Sequence, residues 1–375
     1  MSWFRLAIYE LRRSPARFIR LAAGVAVLSL LVVVQQAFLD GLVGQMNGGL
    51  RTSDADLLVL GEDAAGALPA SAVAESAVGL AESVDGVDAA GSLRFGSATA
   101  DAGGEQIEIS LVGIDPHQPG APAELAGGRA VADDGEAVAT AADRAAGFVP
   151  GATVEMLPGG RRLDIVGLAR DANLAVAPTL YVSTTTFLDL ARQQRPDALR
   201  PPPRTAVAVR VADGQNIPAV AGALAETIGD ADVLTPAQAA ERFPGVAEVT
   251  HSFVIVLALL GIVVALVAGL FFLILTVQKT STLTLLRANG LAASALVAAL
   301  LVQVVVVVGV GVVAGGALAA VLLAVVDVGF DAGVDPVGAA RSVGTMMAMV
   351  IAASLAAARR ILVLDPAMAL TGADV

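Results

Sequence analysis

The sequence predicts an α-helical membrane protein with four transmembrane helices and an α+β extracytoplasmic domain inserted between the first and second helices. Of its 375 residues, 56% are hydrophobic and only 15% are charged, and the mean hydropathy is +0.76. A soluble globular chain is about a quarter charged, so part of this chain is expected to lie in lipid. Four apolar runs approach or exceed the roughly 20 residues that span a hydrocarbon core. They are residues 19–39, 253–277, 296–326 and 342–358.

The region between the first two apolar runs is rich in Asp, Glu, Gly and Pro, which favours a folded domain outside the membrane. The chain is therefore divided into the following predicted segments. They are a cytoplasmic amphipathic helix (1–16), the first span (17–39), the extracytoplasmic domain (40–250), the second span (251–277), a cytoplasmic segment (278–291), the third span (292–326), an extracytoplasmic loop (327–337), the fourth span (338–358) and a cytoplasmic tail (359–375).

Basic residues next to the apolar runs cluster on one predicted side of the membrane. They are Arg5, Arg12, Arg13, Arg17 and Arg20 before the first run, Lys279 and Arg287 between the second and third, and Arg359 and Arg360 after the fourth. Because cytoplasmic loops carry an excess of Lys and Arg, both termini are predicted to be cytoplasmic. The predicted location is the cell membrane, which the chain crosses several times.

The first apolar run has a second interpretation, since a basic flank and an apolar stretch also fit a cleaved signal peptide. The run contains Gln35 and Gln36 near its end and has no small-x-small cleavage site, which favours a retained helix. Before it, Trp3 and Tyr9 lie among alternating apolar and basic residues. This pattern is typical of an amphipathic helix at the membrane interface.

The third apolar run is longer than one span requires. As a single helix, residues 291–326 would extend about 54 Å, against a hydrocarbon core of about 30 Å. Gly311 and Gly315 within it form a G-x-x-x-G pattern, which permits close contact between helices in lipid. We predict that these two glycines pack against another helix, although glycine is also common in such helices for other reasons.

The predicted domain is strongly acidic and poor in metal-binding side chains. Residues 40–250 contain 13 arginines, no lysine and 29 acidic residues, a net charge of −16, which excludes a nucleic-acid partner. There is no cysteine, and the two histidines, His117 and His251, are far apart in the sequence. We therefore predict no metal site, no disulfide and no bound cofactor in this chain.

Alternating and β-branched runs between turn residues predict the α+β character of the domain. The predicted strands are residues 56–60, 106–112, 153–157, 162–168, 179–182, 206–211 and 232–234, and the predicted helices are 68–81 and 217–228. Residues 191–204, which contain three consecutive prolines, are predicted to be a linker.

No motif for catalysis is present. The sequence has no G-x-S-x-G, no H-E-x-x-H and no phosphate-binding P-loop, because Lys279 is not preceded by the required glycine. The acidic pairs Asp133/Asp134 and Asp85/Asp88 are interpreted as solvated turns. The chain is therefore predicted not to be an enzyme.

Three stretches carry a family resemblance. Residues 279–290 (KTSTLTLLRANG) resemble the coupling-helix signature of FtsX-like permeases, the membrane subunits of ABC transporters of the MacB, LolCE and DevC type. Residues 364–370 (LDPAMAL) are similar to the C-terminal motif of that family. In the domain, residues 111–115, 147–154 and 163–168 resemble the pattern of the MacB-like periplasmic core domain.

The resemblance implies that residues 278–291 are a coupling segment that binds an ATPase. The implied coupling residues are Lys279, Leu283, Leu286, Arg287 and Gly290. Two positions depart from the family pattern, because Thr282 stands where the coupling-helix Glu is expected and Ala152 where the domain Asp is expected. Contact with the ATPase is then expected to depend on the two leucines and the arginine.

The resemblance also implies the partners and the function. ATP and Mg would be bound by a separate cytoplasmic ABC ATPase, and the permease would pair with a second copy or a homologue in the lipid membrane. The expected function is transmission of ATPase movement to the outer domain, for export or extraction of a lipid, lipoprotein or other hydrophobic substrate. The alternatives are a non-transporting regulator of a cell-envelope hydrolase, or a membrane-anchored structural or receptor protein without an ATPase.

Overall fold

The computed structural model describes residues 15–102, 104–278 and 293–326, together with residues 338, 340, 341, 344, 345, 347, 348 and 352. The chain divides into two compact units. Of the described residues, the helical unit contains those up to Asp40 and those from His251 onward, and the sheet domain contains those within Gly41–Thr250.

Seven helices and ten strands are found in the described residues, apart from short 3-10 turns. In chain order they are α1 Pro15–Arg51, β1 Leu57–Gly61, α2 Ala77–Glu82, β2 Val87–Ala102, β3 Glu105–Ile114, β4 Leu125–Gly128, β5 Glu136–Thr140, β6 Thr153–Leu157, β7 Arg161–Ala169, β8 Thr179–Ser183, α3 Thr184–Gln194, β9 Ala206–Val211, α4 Ile217–Ile228, β10 Ala231–Leu234, α5 Pro236–Glu241, α6 Val246–Gln278 and α7 Ala293–Val325.

Three of these helices are long and apolar enough to cross a membrane, over Phe18–Arg51, Val246–Val267 and Val302–Val325. In the helical unit they bury a cluster of valines between them. The cluster consists of Val25, Val32, Val264, Val304, Val308 and Val312. The predicted amphipathic helix, coupling segment, extracytoplasmic loop and tail (1–16, 278–291, 327–337 and 359–375) lie wholly or almost wholly outside the described residues. The predicted fourth span (338–358) lies mostly outside them.

Six strands of the sheet domain pair into a closed ring. The order is β2-β3-β8-β5-β7-β6, and β6 pairs with β2 again. The pairs β3–β8 and β5–β7 are parallel, and the other four pairs are antiparallel. Closure leaves no free strand edge within the ring. Its interior is filled by apolar side chains, among them Phe148, Leu163 and Ile165, each at most 1% exposed.

The second part of the sheet domain is an open sheet in the order β10-β1-β9-β2. Helices α2 and α4 cover one of its faces with Ala77, Ala81, Val220 and Leu224. The 16-residue strand β2 belongs to both parts, since Val87 to Leu93 pair with β9 and Leu93 to Ala102 pair with β3. The ring and the open sheet therefore share one strand.

The structure confirms several predicted elements and corrects two. Strands β6 and β9 and helix α4 have the predicted bounds. The predicted helix 68–81 is confirmed only for residues 77–81 and is wrong before them, because Ser71 and Val73 are held extended. The Ser71 hydroxyl accepts from the Gly61 N–H at 2.9 Å, and Val73 pairs with Arg204. A 3-10 turn, Leu68–Ala70, and α2 stand in its place.

The predicted linker 191–204 is also wrong in its first part. Helix α3 continues to Gln194, because it buries Phe187 and Leu190 against the ring interior. Its N-terminus is capped by Ser183, whose hydroxyl accepts from the Thr186 N–H at 3.1 Å.

Candidate functional site at the end of helix α1

The last turns of helix α1 are part of the sheet-domain core. Met46 and Leu50 are 8% and 1% exposed and belong to a cluster that includes Ala240, Phe243 and Val246. The sequence predicted that the first span ends at residue 39, whereas the helix continues to Arg51. It continues because these later turns are buried by the domain, which outweighs the helix-stopping tendency of Asp40 and Gly41.

A loop of residues 171–177, which we call the clamp loop, is hydrogen-bonded to the final turns of the helix. The N–H groups of Ala175 and Val176 donate to the carbonyls of Met46 and Gln45 at 3.0 and 3.1 Å. In the opposite direction, the Gly49 N–H donates to the Asn173 carbonyl at 2.9 Å. The Gln45 and Met46 carbonyls lie one turn before the last four of the helix, whose Gly48 and Leu50 carbonyls accept from the Thr52 and Ser53 N–H groups. The clamp loop is therefore hydrogen-bonded along the final turns of the helix in both directions.

The clamp loop has an unusual backbone. Asp171, Ala175 and Val176 have φ angles of 48°, 59° and 60°. Left-handed backbone is strained for residues with a side chain, and most strained for a β-branched residue such as Val176. Such strain persists only where the surrounding contacts enforce it, and it is concentrated at functional sites.

Two glycines let the helix end approach the clamp loop closely. A Cβ atom at Gly48 would lie 2.4 Å from the Asp171 carbonyl oxygen. At Gly49 it would lie 2.2 Å from the Tyr181 hydroxyl oxygen and 2.9 Å from the Ala172 carbonyl oxygen. Tyr181 is 2% exposed and donates its hydroxyl to that same Ala172 carbonyl at 2.8 Å. No larger residue fits at either glycine without displacing the loop.

Asn47 joins the helix end to helix α5. The Asn47 side chain is 2% exposed, and its amide Nδ2 donates to the Ala240 carbonyl at 2.8 Å. Its Oδ1 atom has no hydrogen-bond partner among the described residues. A buried acceptor without a partner costs about 1–3 kcal/mol, so this contact is retained at an energetic penalty.

A buried carboxyl group supports the clamp loop from the ring side. The Asn173 amide donates to Asp143 Oδ2 and to Thr140 Oγ1, each at 3.1 Å, and Thr140 also hydrogen-bonds Asp143. Burial raises the pKa of the Asp143 carboxyl to about 6, against the lowering effect of hydrogen bonds from the Thr179 backbone and Asn173. Asn173 of the clamp loop therefore contacts a carboxyl group whose pKa is raised by burial.

The two predicted helix-packing glycines lie against helix α1 in the helical unit. A Cβ at Gly311 would lie 2.7 Å from Val25 Cβ, and one at Gly315 would lie 2.3 Å from the Ala26 carbonyl oxygen. The Ser29 hydroxyl of helix α1 donates to the carbonyl of Val312, which lies between the two glycines in the sequence, at 3.4 Å. This is a contact between two helices of one chain.

The predicted coupling residues Lys279, Leu283, Leu286, Arg287 and Gly290, with Thr282, lie outside the described residues. Ala152 precedes β6, and its carbonyl accepts from the Ile165 N–H at 2.8 Å.

Sequence reasoning did not identify the helix-end residues. The one available signal was the Asn47-Gly48-Gly49 triplet, because glycines often mark a helix end.

Comparison with known proteins identifies a family for this chain. The family described as MacB-like periplasmic core domain matches residues 21–227, more than half of the chain. The comparison of this chain with curated proteins found no match. The periplasmic region of MacB from Actinobacillus actinomycetemcomitans is similar at 16% identity over 53% of this chain and 96% of that chain, with a TM-score of 0.37.

A second solved structure, the extracellular domain of the noncanonic ABC-type transporter YknZ from Gram-positive bacteria, is similar at 17% identity. The match covers 48% of this chain and 99% of that chain, with a TM-score of 0.33. The family match spans most of helix α1 and the sheet domain as far as α4. The chain therefore belongs to the FtsX/MacB-like permease family, as a membrane protein with a MacB-like extracytoplasmic domain.

Proposed function

We propose that this chain is the permease subunit of an ABC transporter that moves a lipid, a lipoprotein or another hydrophobic substrate. A separate cytoplasmic ATPase binds ATP and Mg and hydrolyses the ATP. The permease converts the movement of that ATPase into movement of its extracytoplasmic domain. The chain itself performs no chemistry in this proposal.

The observation that carries the proposal is the continuity of helix α1. Its 37 residues form one helix, about 55 Å long at 1.5 Å per residue, against a hydrocarbon core of about 30 Å. A transmembrane helix that merely anchors a domain can end in a flexible linker. Here the final turns are instead buried in the domain core and hydrogen-bonded to the clamp loop. Such a connection is suited to transmitting movement.

The input to this connection is proposed to be the coupling segment, residues 278–291. Leu283 and Leu286 would supply an apolar contact with the ATPase, and Arg287 would supply a charge. Gly290 would end the segment, and Lys279 would add a second positive charge to it. Because Thr282 replaces the family's glutamate, we expect apolar burial to dominate this contact.

The hydrophobic substrate class is supported by the composition of the membrane helices. Among the described residues of the spans, polar groups are few, and Gln303 is 1% exposed. A carrier of ions or protons usually keeps an ionisable group at mid-depth in the membrane. The scarcity of polar groups in these spans therefore favours a hydrophobic substrate.

Pairing with a second copy or a homologue would supply the second wall of a substrate path.

Copurification in detergent with a candidate ABC ATPase tests the input step. We expect Leu286→Asp to abolish ATPase association and its stimulation, because a charge would replace the proposed apolar contact. Leu285→Asp, next to it but outside the family pattern, is the matched control and should retain most of the association. If Leu286→Asp behaves as wild type, the proposed coupling site is wrong.

A second experiment tests transmission. Since the chain has no cysteine, Ala198→Cys can carry the single spin label of each copy, and distances between two copies can be measured with and without ATP. We expect an ATP-dependent change in wild type. Asn47→Ala should reduce that change while ATPase association persists, because Ala240 loses its contact with the helix end. An unchanged distance in wild type would contradict transmission.

A further inference from the structure

The sheet domain contains a cavity that is separate from the helix-end site but shares a wall with it. Its volume is about 340 Å³. The floor is apolar and buried, and the mouth is formed by the 116–123 loop and by the chain around Leu125. The residues that define it are Asp54, Ile114, His117, Leu125, Val138 and Tyr181. The volume lies at the lower end of the roughly 300–1,000 Å³ range of ligand cavities.

The lining favours an apolar body with a head group that is not anionic. Ile114, Val138 and Tyr181 are each at most 3% exposed, so an occupant would rest on core side chains. Among the described residues that line the cavity, Asp54 carries the one carboxylate, and there is no lysine or arginine. Residues 40–250 carry a net charge of −16, from 13 arginines and 29 acids, which also attracts cations and repels anions.

Asp54 is held in place at the mouth. Its Oδ1 accepts from the Gly120 N–H at 2.7 Å, and its Oδ2 forms an ion pair at 3.0 Å with Arg210, which does not line the cavity and compensates part of the carboxylate charge. A carboxylate offers about four lone-pair sites, so both oxygens retain capacity for a donor on a ligand. Beside it, His117 is exposed and has a φ of 68°, a strained conformation of the kind found in ligand clamps.

We propose that this cavity binds a small amphiphile with a compact apolar group and a cationic head, and that Asp54 selects the head. The volume is too small for a folded partner, and the buried apolar floor distinguishes it from a surface depression. The inference does not depend on coupling to an ATPase.

The cavity walls also connect directly to the end of helix α1. Tyr181 forms part of the floor, and its hydroxyl holds the clamp loop at Ala172. The mouth loop is hydrogen-bonded to the chain just after the helix, from the Asp54 N–H to the Ala121 carbonyl at 3.0 Å and from the Ala123 N–H to the Thr52 carbonyl at 2.8 Å. An occupant would therefore touch groups that position the helix end.

Thiol protection tests the proposal on the full chain in lipid nanodiscs. Ala130→Cys places the single thiol of the chain on an exposed part of the cavity lining, and Ala198→Cys places one on an exposed loop as the matched control. The probes are hexyltrimethylammonium and hexanesulfonate, which share an alkyl chain and differ in the charge of the head. A fragment of this size is expected to bind with a Kd of about 1 mM, so about 10 mM of each probe is used.

We expect hexyltrimethylammonium to slow maleimide labelling of the Ala130→Cys thiol at least about fivefold, with little effect from hexanesulfonate. Labelling of the Ala198→Cys thiol should be unaffected by either probe. Adding Ala123→Phe, which fills the mouth, should remove the protection at the first thiol. Equal slowing by both probes, slowing at both thiols, or no slowing would each overturn the proposal. None of these outcomes bears on ATPase association, so the two proposals fail separately.

Discussion

Close packing through glycine occurs in both units of this protein, but the partners differ. In the helical unit, Gly311 and Gly315 lie against the side of helix α1, and a Cβ at Gly315 would lie 2.3 Å from the Ala26 carbonyl oxygen. In the sheet domain, Gly49 lies against the strained clamp loop, and a Cβ at Gly49 would lie 2.2 Å from the buried Tyr181 hydroxyl oxygen. Two helices in lipid can separate by a few tenths of an ångström, whereas the clamp loop is fixed on several sides. The same residue type therefore marks an adjustable contact in one unit and a fixed one in the other.

The largest expected effect is at the fixed contact. Gly49→Val should destabilise the sheet domain by more than about 4 kcal/mol, because the new side chain would overlap the Tyr181 hydroxyl and the Ala172 carbonyl. Thermal unfolding of the detergent-solubilised chain and limited proteolysis measure the loss.

Gly44→Val is the matched control for this change. Gly44 lies in the same helix, and a Cβ there would have no atom within 4 Å. Its substitution should cost less than about 1 kcal/mol. Equal stability of the two variants would show that the helix end is not tightly held.

The second prediction concerns the pH dependence of the stability of the sheet domain, which contains the fixed contact. The pKa of Asp143 is raised by burial from 3.8 to about 6, so the folded state binds this proton more tightly than the unfolded state. Its contribution to stability therefore falls as pH rises between about 4 and 6, by about 3 kcal/mol in total. Asp143→Asn should remove this loss and raise the melting temperature of the sheet domain at pH 7.5, but not at pH 4.

Asp197→Asn, in an exposed loop, is the control for the removed charge. It should leave the pH dependence as in wild type. If Asp143→Asn also leaves it unchanged, burial does not raise the pKa of the Asp143 carboxyl in the way described.

A smaller effect is expected at the adjustable contact. Gly315→Leu should cost about 1–3 kcal/mol, because the two helices can move apart at the expense of their packing. Gly316→Leu, one residue further on, has no atom within 4 Å of its Cβ position and should be nearly neutral. Thermal stability in detergent distinguishes the two, and a loss for Gly316→Leu as large as that for Gly315→Leu would contradict the assignment of the packing face.

The smallest expected effect comes from removing one atom of the fixed contact, the Tyr181 hydroxyl oxygen. Tyr181→Phe alone should cost about 1 kcal/mol for its lost hydrogen bond to Ala172. In a double-mutant cycle it should partly rescue Gly49→Ala, since the phenylalanine lacks the oxygen that the new Cβ would strike. We expect a coupling energy of at least about 1 kcal/mol, measured by denaturant unfolding. Additive effects would place the obstruction at the carbonyl of Ala172 instead.

Local patterns explain which parts of this fold were predictable. Strand β9 and helix α4 follow from alternation and from a capping residue, Asn216, whose side chain accepts from the Ala219 N–H at 3.1 Å. Strand β2 was not predicted, because its sequence contains Gly91, Gly96 and several alanines and shows no clear alternation. It is stabilised by pairing with β3, β6 and β9, and the sequence of a single strand carries no information about such partners.

The same distinction applies to the candidate site. The spacing of Gly311 and Gly315 is a local signal for a close helix contact. The need for glycine at Gly48 and Gly49 arises from Asp171 and Tyr181, which are more than 120 residues away in the sequence. The coupling segment, in contrast, was identified by family resemblance and remains a prediction.

The contact between Asn47 and Ala240 has a consequence for how the protein is made. The two residues are 193 positions apart, so at about 5–20 residues per second the ribosome needs roughly 10–40 s to synthesise the second after the first. During that time the end of the first membrane helix has left the ribosome with Met46, Asn47 and Leu50 still uncovered. Biogenesis of this permease therefore includes an interval in which the residues that later cover the helix end have not yet been synthesised.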